Sequence, residues 1–142
     1  MIYIKSEIND PTINQAALLF MRHYRDSEFL DLVESVQSFN HTRDNGKDVA
    51  LNLSDAVLEI TLKEYKTFNP WSAAIAYAEK KTIYFNARKK NQTVVDRCET
   101  IMHEALHLLG YSHRGNKPDS YNLGSVPYKV GMMFGRYIAG KM

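Results

Sequence analysis

Residues His103-Glu104-Ala105-Leu106-His107-Leu108-Leu109-Gly110-Tyr111-Ser112-His113 spell HExxHxxGxxH, which places three imidazoles and a carboxylate within one short stretch. On an α-helix His103 and His107 lie about 40° apart around the axis and one turn along it, so both rings can reach a single metal ion at roughly 2.0–2.1 Å. Glu104 projects about 100° from His103. There it flanks the ion without binding it, the position from which a carboxylate takes a proton from metal-bound water. Gly110 lets the chain leave the helix through a conformation with positive φ, and that turn can return His113 as a third ligand. Three histidines leave a fourth tetrahedral position open for water, which marks a catalytic zinc site rather than a structural one.

The competing reading is a helix that carries three histidines by accident. HExxH alone occurs by chance in roughly a few chains per thousand of this length, and a glycine and a third histidine at fixed offsets lower that about a thousandfold. A structural zinc site would favour cysteine ligands, and this chain has a single cysteine, Cys98. Cys98 stands five residues before His103, about 140° away around the helix, so it reads as a buried inert thiol and not as a ligand.

The elements that must carry this motif can be read outward from it. Thr93 precedes a helix whose apolar face is Val94, Val95, Cys98, Ile101, Met102, Ala105, Leu106 and Leu109. Upstream, Trp71–Ala78 and Thr82–Asn86 flank the charged link Glu79-Lys80-Lys81 and read as adjacent strands. Met1–Glu7 alternates apolar and polar residues and reads as a strand. Asp10-Pro11 opens a first helix with Ile13, Ala16, Ala17, Phe20, Met21 and Tyr24 on one face. Asp26 or Ser27 caps a second helix with Phe29, Leu32, Val33 and Val36 at helical spacing. Asp44-Asn45-Gly46 signals a turn. The stretch from 49 to 65 reads as helix passing into strand, with a helix capped by Ser54 as the alternative, and Asn69-Pro70 breaks the chain before the hairpin. Val130, Met133, Phe134, Tyr137 and Ile138 predict a C-terminal amphipathic helix.

The segment HEALHLLGYSH resembles the extended zinc-binding motif of the metzincin metalloproteases at all five defining positions. The resemblance implies an α+β fold, a small zincin-like domain with a mixed twisted sheet, an active-site helix and a C-terminal helix. It implies zinc on His103, His107 and His113, and hydrolysis of peptide bonds through a zinc-bound water with Glu104 as general base and proton shuttle. In that family an edge strand pairs with extended substrate through main-chain hydrogen bonds. Ser72–Ala78 is similar to it in position and in its small residues, the alternative being a hairpin with no ligand. Metzincins also carry a methionine-containing turn beneath the metal. Ser125-Val126-Pro127-Tyr128 looks like a variant of it, with proline where methionine would stand and tyrosine one residue early. Either Pro127 forms a rigid floor, or Met132 or Met133 of the next helix fills the role. Tyr128 is expected to stabilise the oxyanion, or else to pack its ring and bond locally. The likeness is greatest to short prokaryotic and phage metzincin-like domains.

Composition narrows the remaining classes. With 142 residues, 44% hydrophobic and 24% charged, the whole chain, 1–142, reads as one metalloprotease domain with a core of its own. A net charge of +2 and the short cluster Arg88-Lys89-Lys90 are too little for a nucleic-acid interface. No run of 18 apolar residues and no signal-peptide pattern is present. The expected partner is a peptide or protein substrate, with no nucleic acid and no membrane, for a monomer that is cytoplasmic at synthesis. Asp119, in the polar loop after His113, could orient a ligand histidine or be solvated. Two other functions remain open: zinc hydrolysis of a non-peptide amide, and a zinc-binding pseudoprotease that serves as an interaction module.

Overall fold

The computed structural model describes residues 1–67, 75–115 and 117–142. They form a mixed α+β structure of five α-helices and a four-stranded sheet. The strands are β1 (Ile2–Ser6), β2 (Leu58–Tyr65), β3 (Ala76–Glu79) and β4 (Thr82–Asn86), in the spatial order β1-β2-β4-β3. β1, β2 and β4 run parallel, and β3 lies antiparallel on the edge, with Ala76 opposite Phe85 and Ala78 opposite Ile83. The period of two sends Ile2, Ile4, Ile60, Leu62, Ile83 and Phe85 to the core face, all buried. Tyr3 and Tyr77 face the other way and are exposed.

The helices are α1 (Pro11–His23), α2 (Ser27–Glu34), α3 (Gly46–Asp55), α4 (Val94–Leu108) and α5 (Val126–Ala139). α1 and α4 pack against each other, and both also contact the sheet. Their starts fall where the sequence suggests, and both are capped: Asp10 accepts from the Thr12 and Ile13 amides ahead of α1. Thr93 and Asp96 exchange side-chain and backbone hydrogen bonds at the head of α4. That reciprocal cap satisfies two orphan amides and sets where the helix begins. Rings join the outer helices to this layer. Phe134 of α5 meets Phe29 of α2 edge-on at 5.1 Å and Phe20 of α1 at 5.6 Å. Each such buried ring is worth about 1.5–3 kcal/mol by area alone.

Three local readings are corrected. Asn45 and Gly46 begin a helix instead of forming a free turn: Asn45 caps α3 reciprocally with Asp48, and the chain continues as helix and then strand β2. Leu32, expected on the apolar face of α2, is 48% exposed because that helix is only two turns long and buries just Phe29 and Val33. Asp26 stands at the N-cap of α2 but makes no side-chain cap bond. Its carboxylate is taken by His23 and by the Tyr137 hydroxyl. The Asn69-Pro70 break lies outside the described residues. No described helix is long and apolar enough to cross a membrane.

Candidate metal centre

α4 carries the first half of the site. His103 and His107 project from its last two turns, and the helix then closes with a pair of crossed hydrogen bonds. The Gly110 amide donates to the His107 carbonyl and the Tyr111 amide to the Leu106 carbonyl, the pattern that ends a helix through a left-handed residue. Gly110 takes φ +103°, open to glycine and strained for other residues, as its place in the motif predicts. The chain thus doubles back and brings His113 against the other two rings.

The three Nε2 atoms converge. His103 and His113 are 3.1 Å apart, His103 and His107 3.2 Å, and His107 and His113 3.0 Å. Among the described residues they form a group able to hold a metal ion. The His107 Nδ1 lies 2.8 Å from the Tyr111 carbonyl, which fixes the proton there and leaves Nε2 as a lone pair. Neutral rings meeting nitrogen to nitrogen cannot all satisfy one another by hydrogen bonds. The arrangement suits a cation among them: tetrahedral bonds of 2.0–2.1 Å put ligand atoms about 3.3–3.4 Å apart. Protonation of the cluster is opposed. Burial, then the neighbouring His107 and His113, push the His103 imidazole down to about 3, and burial lowers His107 and His113 as well.

No protein-family model, curated protein or solved structure matches the chain.

Glu104 is only 6% exposed and its Oε2 is buried without a hydrogen-bond partner. Burial pushes its carboxyl up to about 8, so the group binds a proton far more tightly than an exposed carboxylate and is mostly the neutral acid at about pH 7 without a cation beside it. Tyr128 stands across from it, its ring 4.6 Å from both His103 and His113. Burial, and then Glu104 and Asp119, raise its phenol above the ordinary range. These side chains line a cleft of about 840 Å³ with α4 as one wall and Ala76, Tyr77 and Ala78 of β3 as another. Of the proposed substrate strand Ser72–Ala78, residues 72–74 lie outside the described residues, and the rest leads into the antiparallel edge strand over this cleft.

The stretch Ser125–Tyr128 is not the turn expected there. Ser125 is the N-cap of α5, and Pro127 sits in its first helical turn, where a missing amide is harmless. The turn precedes it, at Asn122–Gly124. Met132 and Met133 belong to α5, and Gly131 of the same helix lies against His103. A Cβ there would come 3.3 Å from His103 Cβ and 3.2 Å from the Glu99 carbonyl. The backbone of α5 is thus the floor beneath the first histidine.

Several supporting residues carry no sequence signal. Asn122 is fully buried. Its Oδ1 accepts from the Arg114 amide, and its Nδ2 donates to the Lys117 carbonyl, so it closes the loop that holds His113. Asp119 accepts from the Asn122 amide at 2.8 Å instead of orienting a histidine. The Tyr111 hydroxyl donates to Asp44 Oδ2 at 2.8 Å and accepts from Asn52 at 2.7 Å. That clamp holds the carbonyl to which His107 is anchored. Cys98 is buried and remote from the site in chemistry, its thiol pushed up to about 12 by burial.

Proposed function

We propose that this chain is a zinc-dependent endopeptidase of the metzincin type. The observation that carries the reading is the convergence of three histidine Nε2 atoms within 3.2 Å, beside a buried carboxylate, under an antiparallel edge strand. Zinc, when bound by His103, His107 and His113, supplies a Lewis acid that polarises a carbonyl and acidifies water. The edge of β3 that is outermost among the described strands binds an extended peptide by main-chain hydrogen bonds, which runs its backbone along the cleft. Glu104 accepts the proton of the attacking water on a carboxylate oxygen and returns it to the leaving amine. The Tyr128 phenol donates a hydrogen bond to the oxyanion of the tetrahedral intermediate. Proline in place of methionine near the floor is accommodated because the α5 backbone at Gly131 lies directly against His103.

The test pairs metal content with turnover of a peptide library. Glu104→Ala is expected to keep zinc and lose hydrolysis, and His107→Ala to lose both. Peptide cleavage by Glu104→Ala at the native rate refutes the mechanism. Stoichiometric zinc with no peptide hydrolysed by the native chain moves the site to a non-peptide amide or to a binding role.

A further inference from the structure

The cleft holds a second carboxylate that the reaction above does not use. Glu99 stands four residues before His103 on α4, so it shares that face about 6 Å nearer the helix start. It lines the cleft together with Thr100. Its side chain lies where α5 has none: a Cβ at Gly135 would come 3.3 Å from Glu99 Oε2. Glycine at that position leaves the carboxylate its room.

Among the described residues this carboxylate has no ion pair and no side-chain hydrogen bond. Thr100, its neighbour, donates its hydroxyl to the Asp96 carbonyl. Arg136 attracts Glu99 only from a distance, while Asp96 repels it. Among the described residues no lysine or arginine lines the cleft, whose other carboxylate is Glu104. A half-buried carboxylate without a cation is costly, and that cost is relieved when a ligand brings one. The facing wall is Ala76 and Ala78, small and apolar, which leaves space for a long side chain to lay its stem.

We propose that Glu99 is the recognition carboxylate of a subsite for a basic side chain, arginine or lysine, next to the scissile bond of a peptide substrate. The inference rests on the endopeptidase reading of the same cleft. The 6 Å offset along α4 is less than two residues of extended chain at about 3.3 Å each, so the subsite belongs to a residue flanking the bond and not to a distant one.

The test uses the zinc-loaded protein and peptides of one sequence that differ only in arginine or citrulline, placed in turn at each position around the cleaved bond. Citrulline keeps the shape and removes the charge. Cleavage is read as kcat/KM, and binding is read separately as Kd on zinc-loaded Glu104→Gln. Arginine is expected to be favoured about tenfold in both at one position beside the bond, and Glu99→Gln to bring the ratio close to one. Arg136→Ala should leave the preference in place. Cleavage without an arginine preference, or a preference that survives Glu99→Gln, overturns the subsite and leaves the endopeptidase reading standing. Glu99-dependent binding of the arginine peptide with no cleavage of any peptide sustains the recognition of a basic side chain and sinks the endopeptidase. Neither binding nor cleavage overturns both.

Discussion

Gly131 and Gly135 sit one turn apart on α5 and both face α4, yet adding a methyl group to each should have unequal effects. At Gly131 the new Cβ would meet a backbone carbonyl, that of Glu99, at 3.2 Å, and His103 Cβ at 3.3 Å. Ordinary carbon contacts are about 3.5–4.0 Å, so α5 has to retreat by a few tenths of an ångström from a helix that cannot yield locally. Overpacking of this kind costs about 1–3 kcal/mol, against about 0.8–1 kcal/mol gained from replacing glycine inside a helix. Gly131→Ala is therefore expected to lose about 1 kcal/mol. Gly131→Val, with two further methyl groups and a smaller helix-propensity gain, should lose about 3 kcal/mol. At Gly135 the new Cβ would come 3.3 Å from Glu99 Cβ, which is fixed to α4, and 3.3 Å from Glu99 Oε2, which can rotate away, with Val95 Cγ1 at a comfortable 3.7 Å and no backbone atom as close. Gly135→Ala meets that one rigid contact, offset by the propensity gain, and should be close to neutral, within about 0.5 kcal/mol of the native chain. Thermal melts of the metal-free proteins measure the sign, at about 3 °C per kcal/mol for a domain of this size. A zinc competition titration reads the second consequence: pushing His103 should weaken metal binding about tenfold in Gly131→Val and leave it unchanged in Gly135→Ala. If Gly131→Ala melts higher than the native chain and binds zinc as tightly, α5 is not the floor of the site.

Two further outcomes follow from local geometry. The hairpin between β3 and β4 turns through Lys80 and Lys81, which hold φ +50° and +61° with ordinary side chains. The double variant K80N/K81G supplies the residues this two-residue turn favours and should raise stability by about 1 kcal/mol or more; a melting temperature below that of the native chain would contradict the register of the edge strand. The Cys98 thiol, raised to about 12 by burial, has a thiolate fraction that is negligible at pH 8 and grows as pH rises toward that value. Iodoacetamide should therefore label the native protein about a thousandfold more slowly than the denatured one at that pH, and equal rates would place the cysteine at the surface.

Much of the candidate site was legible because its parts lie within a few residues of one another. The four-residue spacing of His103 and His107, the neighbouring Glu104 and the left-handed step at Gly110 are dictated by helix geometry and by the absence of a side chain, neither of which depends on the rest of the fold. The same holds for the helix starts at Asp10-Pro11 and Thr93, and for the alternation that chose the core face of β1. The short range failed where a local signal had two outcomes. Asn45-Gly46 suits a turn and a helix start equally, and the reciprocal bond with Asp48 decided for the helix. Ser125-Val126-Pro127 reads as a turn until α5 is seen to begin there, with Pro127 in its first turn.

What only the tertiary structure decided is everything that must be supplied from a distance. Asp44 and Asn52 clamp Tyr111 from sequence separations of 67 and 59 residues. Asn122 ties down the loop behind His113, and the edge strand β3 faces α4 across the cleft. Glu99 is an unremarkable helical glutamate until Gly135 of another helix leaves space for it. The physical reason is the reach of each constraint. Backbone geometry sets the angles between residues one helical turn apart, so the sequence by itself determined which side chains could share a metal. Packing between elements far apart in the chain determines which walls, floor and partners surround them, and those contacts exist only once the sheet and helices have closed on a common core.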